Sequence, residues 1–120
     1  MELTTTELAY LAGIIDGEGC LSVQKRLEKY LTPTIQISNT NKLLIDWLLT
    51  IGGNAYVCPM DKRLNRKQLY LWTTAGRKAR ELVGAVLPFL RLKCRQAELI
   101  LATEPKHRLR IGETIRLSPE

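Results

Sequence analysis

An acidic pair closes the first apolar stretch of this 120-residue chain: Asp16 and Glu18, with Gly17 between them and Gly19 after. Upstream, Leu8, Leu11, Ala12 and Ile15 recur at i, i+3, i+4 and i+7, which predicts one helical face buried in a core. Both acids then fall at the C-terminus of that helix, where the macrodipole is negative and carboxylates are disfavoured. A locally unfavourable arrangement points to a use, most simply a bound cation. The alternative is that Gly17 and Gly19 are plain helix caps and both carboxylates point to water. On the same helix, Ala9, Gly13 and Gly17 form a small-residue stripe at a spacing of four. Glycine costs about 1 kcal/mol in a helix interior, so the stripe predicts close approach to another helix. Far along the chain, Arg91, Lys93 and Arg95 make a cationic cluster that suits phosphate contact.

These residues need elements to place them. Thr4 to Glu7 reads as a capping box at the start of the first helix. Leu21 to Arg26 alternates apolar and polar, and Pro33 to Ser38 does the same, so both read as strands joined by a hairpin. Asn39 to Asn41 can cap a second helix that runs to Leu49 and ends at Gly52-Gly53. Ala55 to Cys58 and Gln68 to Trp72 read as a second hairpin around a basic loop. Thr73 or Thr74 would cap a third helix running to about Leu87, before Pro88, and a last helix covers Arg95 to Thr103. The expected fold is α+β in the order αββαββα: a mostly antiparallel sheet with its helices on one face. Residues 1–104 form the domain and 105–120 a basic tail. On the strands the outward set reads Ser22, Gln24, Arg26, then Thr32, Thr34, Gln36, then Gln68, Tyr70, Trp72. Such side chains hydrogen-bond base edges in a major groove, although an ordinary solvated sheet face carries similar residues.

Composition agrees with one soluble domain, at 45% hydrophobic and 25% charged residues. The longest uncharged stretch, Trp47 to Met60, is broken by glycines and Pro59 and is too short to span a membrane. No cationic leader with an apolar core opens the sequence, and three scattered cysteines argue against a disulfide framework or a zinc site. An intracellular protein is therefore expected, with no membrane partner. The net charge of +6 is uneven. Seven bases and no acid lie between Lys62 and Arg80, whereas acids slightly outnumber bases before Asp61. A local basic excess suggests a polyanion, most often nucleic acid; the plainer reading is a solvated face.

The nonapeptide Leu11-Ala12-Gly13-Ile14-Ile15-Asp16-Gly17-Glu18-Gly19 resembles the signature of the LAGLIDADG homing endonucleases, matching it at Leu11, Ala12, Gly13, Ile15, Asp16 and Gly19. Glutamate at the eighth position is a common variant. The stretch from Leu87 to Ala97 is similar to the segment before the last core helix in single-motif members. The resemblance implies a homodimer whose signature helices pack through Ala9, Gly13, Asp16 and Gly17. It implies that Glu18 from each copy and the Gly19 carbonyl bind Mg²⁺ or a similar cation such as Mn²⁺, that Lys93 assists catalysis, and that Asn39 organises water. Ser22, Gln24, Arg26, Tyr30, Thr32, Thr34, Gln36, Arg66, Gln68 and Tyr70 match DNA-facing positions. Leu43 stands where some relatives carry an arginine near the active site, and Cys58 and Met60 where arginines often read bases. The implied function is a staggered double-strand break in a long pseudo-palindromic DNA target by metal-dependent phosphodiester hydrolysis, in an organelle or a prokaryotic or phage nucleoid. A maturase or regulator that binds nucleic acid without cutting is the alternative on the same fold.

Overall fold

The computed structural model describes residues 3–26, 30–59 and 67–102. Helix α1 (Thr5–Glu18) opens on Thr4, whose hydroxyl accepts from the Glu7 amide at 3.1 Å while the Glu7 carboxylate accepts from the Thr4 amide at 3.0 Å. This is the reciprocal cap expected from the sequence. The helix buries Leu11, Ala12 and Ile15 and stops at Gly19. A Cβ there would lie 2.8 Å from the Ile15 Cα. Glycine is what lets the chain turn from helix directly into strand at this point.

Strand β1 (Gly19–Arg26) pairs antiparallel with β2 (Tyr30–Asn39), Leu21 opposite Ile35 and Ser22 opposite Thr34. Strand β1 starts two residues earlier than the alternation suggested, and β2 three. Pro33 explains how the second can: β2 pairs with β4 only from Thr34 onward, so the missing proline amide falls where that neighbour is absent. Helix α2 (Lys42–Ile51) is capped by Asn41 and buries Ile45, Leu48 and Ile51. Strands β3 (Asn54–Val57) and β4 (Tyr70–Ala75) complete a four-stranded antiparallel sheet in the order β1-β2-β4-β3.

Helix α3 (Gly76–Val86) begins one to two residues later than expected, its N-cap Ala75 giving no side-chain cap. Thr73 and Thr74 stay in β4 because the sheet uses them, pairing opposite Gln36 and Ile35, and Thr74 is buried. The turn is made by Gly76 at φ +71°, a backbone region that glycine enters without steric cost. Ala79, Leu82, Val83 and Val86 then face the core. A 3₁₀ turn (Leu87–Phe89) leads to α4 (Cys94–Ala102), which buries Ala97 and Ile100. Arg80 of α3 donates to the Ile100 and Leu101 carbonyls at 3.0 and 2.5 Å, satisfying orphan acceptors at the end of α4. The four helices of the described residues pack on one face of the sheet, where Leu21, Ile35, Ile37 and Trp72 meet them. No helix among the described residues is long and apolar enough to cross a membrane.

Candidate functional site

Glu18 is the exposed last residue of α1. Its Oε2 accepts from Asn39 Nδ2 at 2.5 Å, joining two residues 21 apart in sequence. Asn39 closes β2, and its Oδ1 accepts from the Asn41 amide at 2.7 Å. That bond settles which end of the Asn39 amide is which, and so leaves Nδ2 to face the carboxylate. Asn41 caps α2 through the Leu43 amide at 2.9 Å. A helix cap, a strand end and an acid thus form one continuous polar chain. The structure brings together Glu18 and Asn39, two of the three residues expected to take part in catalysis.

Asp16 turns the other way. Its carboxylate accepts from the backbone amides of Arg91 at 2.7 Å, Leu92 at 3.2 Å and Lys93 at 3.0 Å. In return, Lys93 Nζ donates to the Asp16 carbonyl at 2.8 Å. Burial would raise the Asp16 pKa, but the three amides and the lysine charge outweigh it, and the carboxyl is held below its ordinary 3.8. Asp16 was expected at a dimer interface; within its own chain both its oxygens are engaged. An acid at the negative end of a helix is tolerated here because three donors from another segment surround it.

Ala9, Gly13 and Gly17 lie together on the exposed side of α1, and a Cβ at Gly13 or Gly17 would meet nothing within 4 Å. Open clefts flank this stripe. One of about 660 Å³ is lined by Tyr10, Ile14, Leu44, Glu18 and Asn39. The other, of about 520 Å³, is lined by Asp16 and by Pro88 to Arg91. Among the described residues no group of three or more His, Cys, Asp and Glu stands close enough to hold a metal ion. Glu18 and Gly19, the expected cation donors, are adjacent where α1 turns into β1.

The sheet face away from the helices is fixed by register. Cys20, Ser22 and Gln24 stand opposite Gln36, Thr34 and Thr32, and β4 adds Leu71, Thr73 and Ala75. Asn54 and Tyr56 of β3 join them. Ser22, Gln24, Thr32 and Gln36 sit on this face as expected, whereas Thr34 is on it but only 2% exposed, at the middle of the sheet. The expected face of β4 is corrected. Trp72 is fully buried opposite Ile37, and its indole donates to the Gly52 carbonyl at 2.8 Å. Tyr70 shares that inner face and packs against the core. Gln68 precedes β4, and its amide nitrogen donates to the Cys58 and Leu69 carbonyls at 2.8 Å each, which commits it to closing the hairpin. Thr73, Asn54 and Ser38 are the outer-face polar residues the sequence reading missed. Arg26 and Tyr30 pair in backbone register at the hairpin end, while their side chains, like Arg66 and the 105–120 tail, lie outside the described residues.

The arrangement has known counterparts. The homing endonuclease I-CvuI, solved with its DNA target in the presence of calcium, superposes at a TM-score of 0.63 with 24% identity, over 81% of this chain and 64% of that one. The archaeal intron-encoded homing endonuclease I-Vdi141I, complexed with DNA, gives 0.58 and 17% over 78% and 64%. The LAGLIDADG meganuclease I-AabMI, bound to uncleaved DNA, gives 0.55 and 17% over 77% and 33%. The chain has the LAGLIDADG fold. It spans less than two thirds of each of these proteins. No protein-family model matches it, and no curated protein does. Within the LAGLIDADG fold, the signature nonapeptide is the second half of α1 plus its turn into β1, so Glu18 and Gly19 mark the junction of helix and sheet.

Proposed function

We propose that two copies of this chain form a site-specific, metal-dependent DNA endonuclease that makes a staggered double-strand break in a pseudo-palindromic target. The observation that carries this reading is the Glu18 carboxylate, exposed at a helix end, held by Asn39, and two residues from the carbonyl to which the Lys93 ammonium is tied. A protein that only binds DNA has no use for a fixed acid facing phosphates. The LAGLIDADG fold and its DNA-bound counterparts support the same reading.

The dimer follows from what one chain lacks. The exposed Ala9-Gly13-Gly17 stripe suits a second helix at close range, and a two-fold would set a second Glu18 beside the first. Two carboxylates so placed repel, and one would protonate unless a cation lay between them. Carboxylate and carbonyl oxygens at the negative end of a helix are donors that hard cations such as Mg²⁺ or Mn²⁺ prefer, so Glu18 and the Gly19 carbonyl of each copy would hold it. Bound there, such an ion supplies polarisation of the phosphodiester and activation of water. The chain's own residues do the rest. Lys93 places positive charge where the scissile phosphate gains negative charge, and Asn39 keeps Glu18 in one rotamer. Ser22, Gln24, Thr32, Gln36 and Thr73 offer donors and acceptors to base edges, while the bases from Lys62 to Lys67 contact phosphates without sequence preference.

Incubation of the protein with a randomised duplex library, with and without Mg²⁺, tests the reading. Metal-dependent enrichment of cut, pseudo-palindromic duplexes is expected. Selective retention of duplexes with no cutting under either condition would favour the regulator or maturase instead.

A further inference from the structure

Four hydrogen bonds tie the last turn of α1 to the segment between the 3₁₀ turn and α4: three from the Arg91, Leu92 and Lys93 amides into the Asp16 carboxylate, and one from Lys93 Nζ back to the Asp16 carbonyl. The Lys93 carbonyl in turn accepts from the Ala97 amide at 3.0 Å, so the same residue opens α4. A lysine ammonium rides on a flexible four-carbon stem and keeps one position only when its backbone and its head are both held. Asp16 supplies both anchors, the first through its side chain and the second through its main chain. A carboxylate suits the task because it only accepts, and its two oxygens can serve three donors. Asparagine would aim an NH₂ at amides that already donate.

Resting on the endonuclease reading above, we propose that Asp16 is a positioning residue: its carboxylate pins the Arg91–Lys93 backbone and so fixes the Lys93 ammonium on the turn of α1 that carries Glu18. Asp16 itself touches neither DNA nor metal in this role. Glu18 and Lys93, 75 residues apart in the chain, are held as one rigid unit through it.

The test is a double-mutant cycle on full-length protein, with single-turnover cleavage, gel shift, thermal unfolding and amide exchange at residues 91–93 as readouts. Asp16→Asn should slow cleavage about ten- to a hundredfold, keep DNA affinity, and expose the three amides to exchange. Lys93→Met should slow cleavage too, and the double variant should be no slower than Lys93→Met alone. If Asp16→Asn cuts like wild type, or if the two losses multiply, the proposal is overturned. Should Asp16→Asn not fold, Asp16→Glu replaces it in the same cycle, with the same results deciding. A wild-type protein that binds DNA but never cuts removes the endonuclease reading and this one with it. That outcome is distinct from a cutting wild type with an indifferent Asp16.

Discussion

Two carboxylates two residues apart have opposite assignments. Glu18 points outward to Asn39 and open space, whereas Asp16 points inward to the amides of another segment. Sequence shows both acids at an unfavourable helix end but not which of them is compensated, because the donors arrive from residues 91–93. Removing the Asn39 amide frees the Glu18 side chain to explore other rotamers. Asn39→Ala should therefore slow cleavage about tenfold or more while DNA affinity in gel shift stays within about twofold, the pattern of a lost orienting contact. The Asn39 side chain also accepts from the Asn41 amide, so a small loss of thermal stability is expected as well. Acid titration separates the carboxyls by another route. Glu7 is held below its ordinary 4.5 by the Thr4 backbone and side-chain hydrogen bonds, and Asp16 lies below its ordinary value although burial works against this. A depressed carboxyl stabilises the fold fully above its unfolded pKa and stops doing so as pH falls through the folded one. Stability should thus fall as pH drops below about 4, and Asp16→Asn should flatten that dependence in urea melts taken between pH 6 and pH 3.

Most elements were legible because their patterns are unambiguous. The capping box, the 3.6-residue period of α1, and the asparagine cap and closing glycines of α2 each lie within a single segment of chain. Strand β4 was legible as a strand but not in its phase. Leu69, Tyr70, Leu71 and Trp72 are apolar at every position, so alternation gives no phase, and a one-residue error moves each side chain to the other face. Pairing with β2 sets the phase: Ile37 opposite Trp72 puts the indole in the core, and Gln36 opposite Thr73 puts the threonine outside. The inward Trp72 has a clear signature. Trp72→Phe keeps most of the apolar burial but strips the donor from the Gly52 carbonyl, and should cost about 1–3 kcal/mol. Trp72→Ala should cost about 3–5 kcal/mol. Had Trp72 belonged to the DNA-facing set, both variants would leave chemical denaturation midpoints near wild type and weaken DNA binding instead.

At the scale of the molecule, one chain presents a polar sheet face, a localised basic excess and an exposed carboxylate, Glu18, at the junction of helix and sheet. The Ala9-Gly13-Gly17 stripe lies bare on α1 between two clefts, and the proposed dimer would cover it. Sedimentation should find a dimer of 27 kDa, twice the 13.6 kDa chain, in the presence of DNA; a strict monomer at high concentration with DNA bound would remove the shared site. The most direct measurement concerns Glu18. Glu18→Gln keeps the shape of the side chain but removes the charge that would hold a cation. On one duplex with Mg²⁺, the wild-type protein should cut, and the Glu18→Gln protein should bind with equal or higher affinity yet leave both strands intact, because less negative charge faces the phosphates. Full cutting by the Glu18→Gln protein would contradict the account.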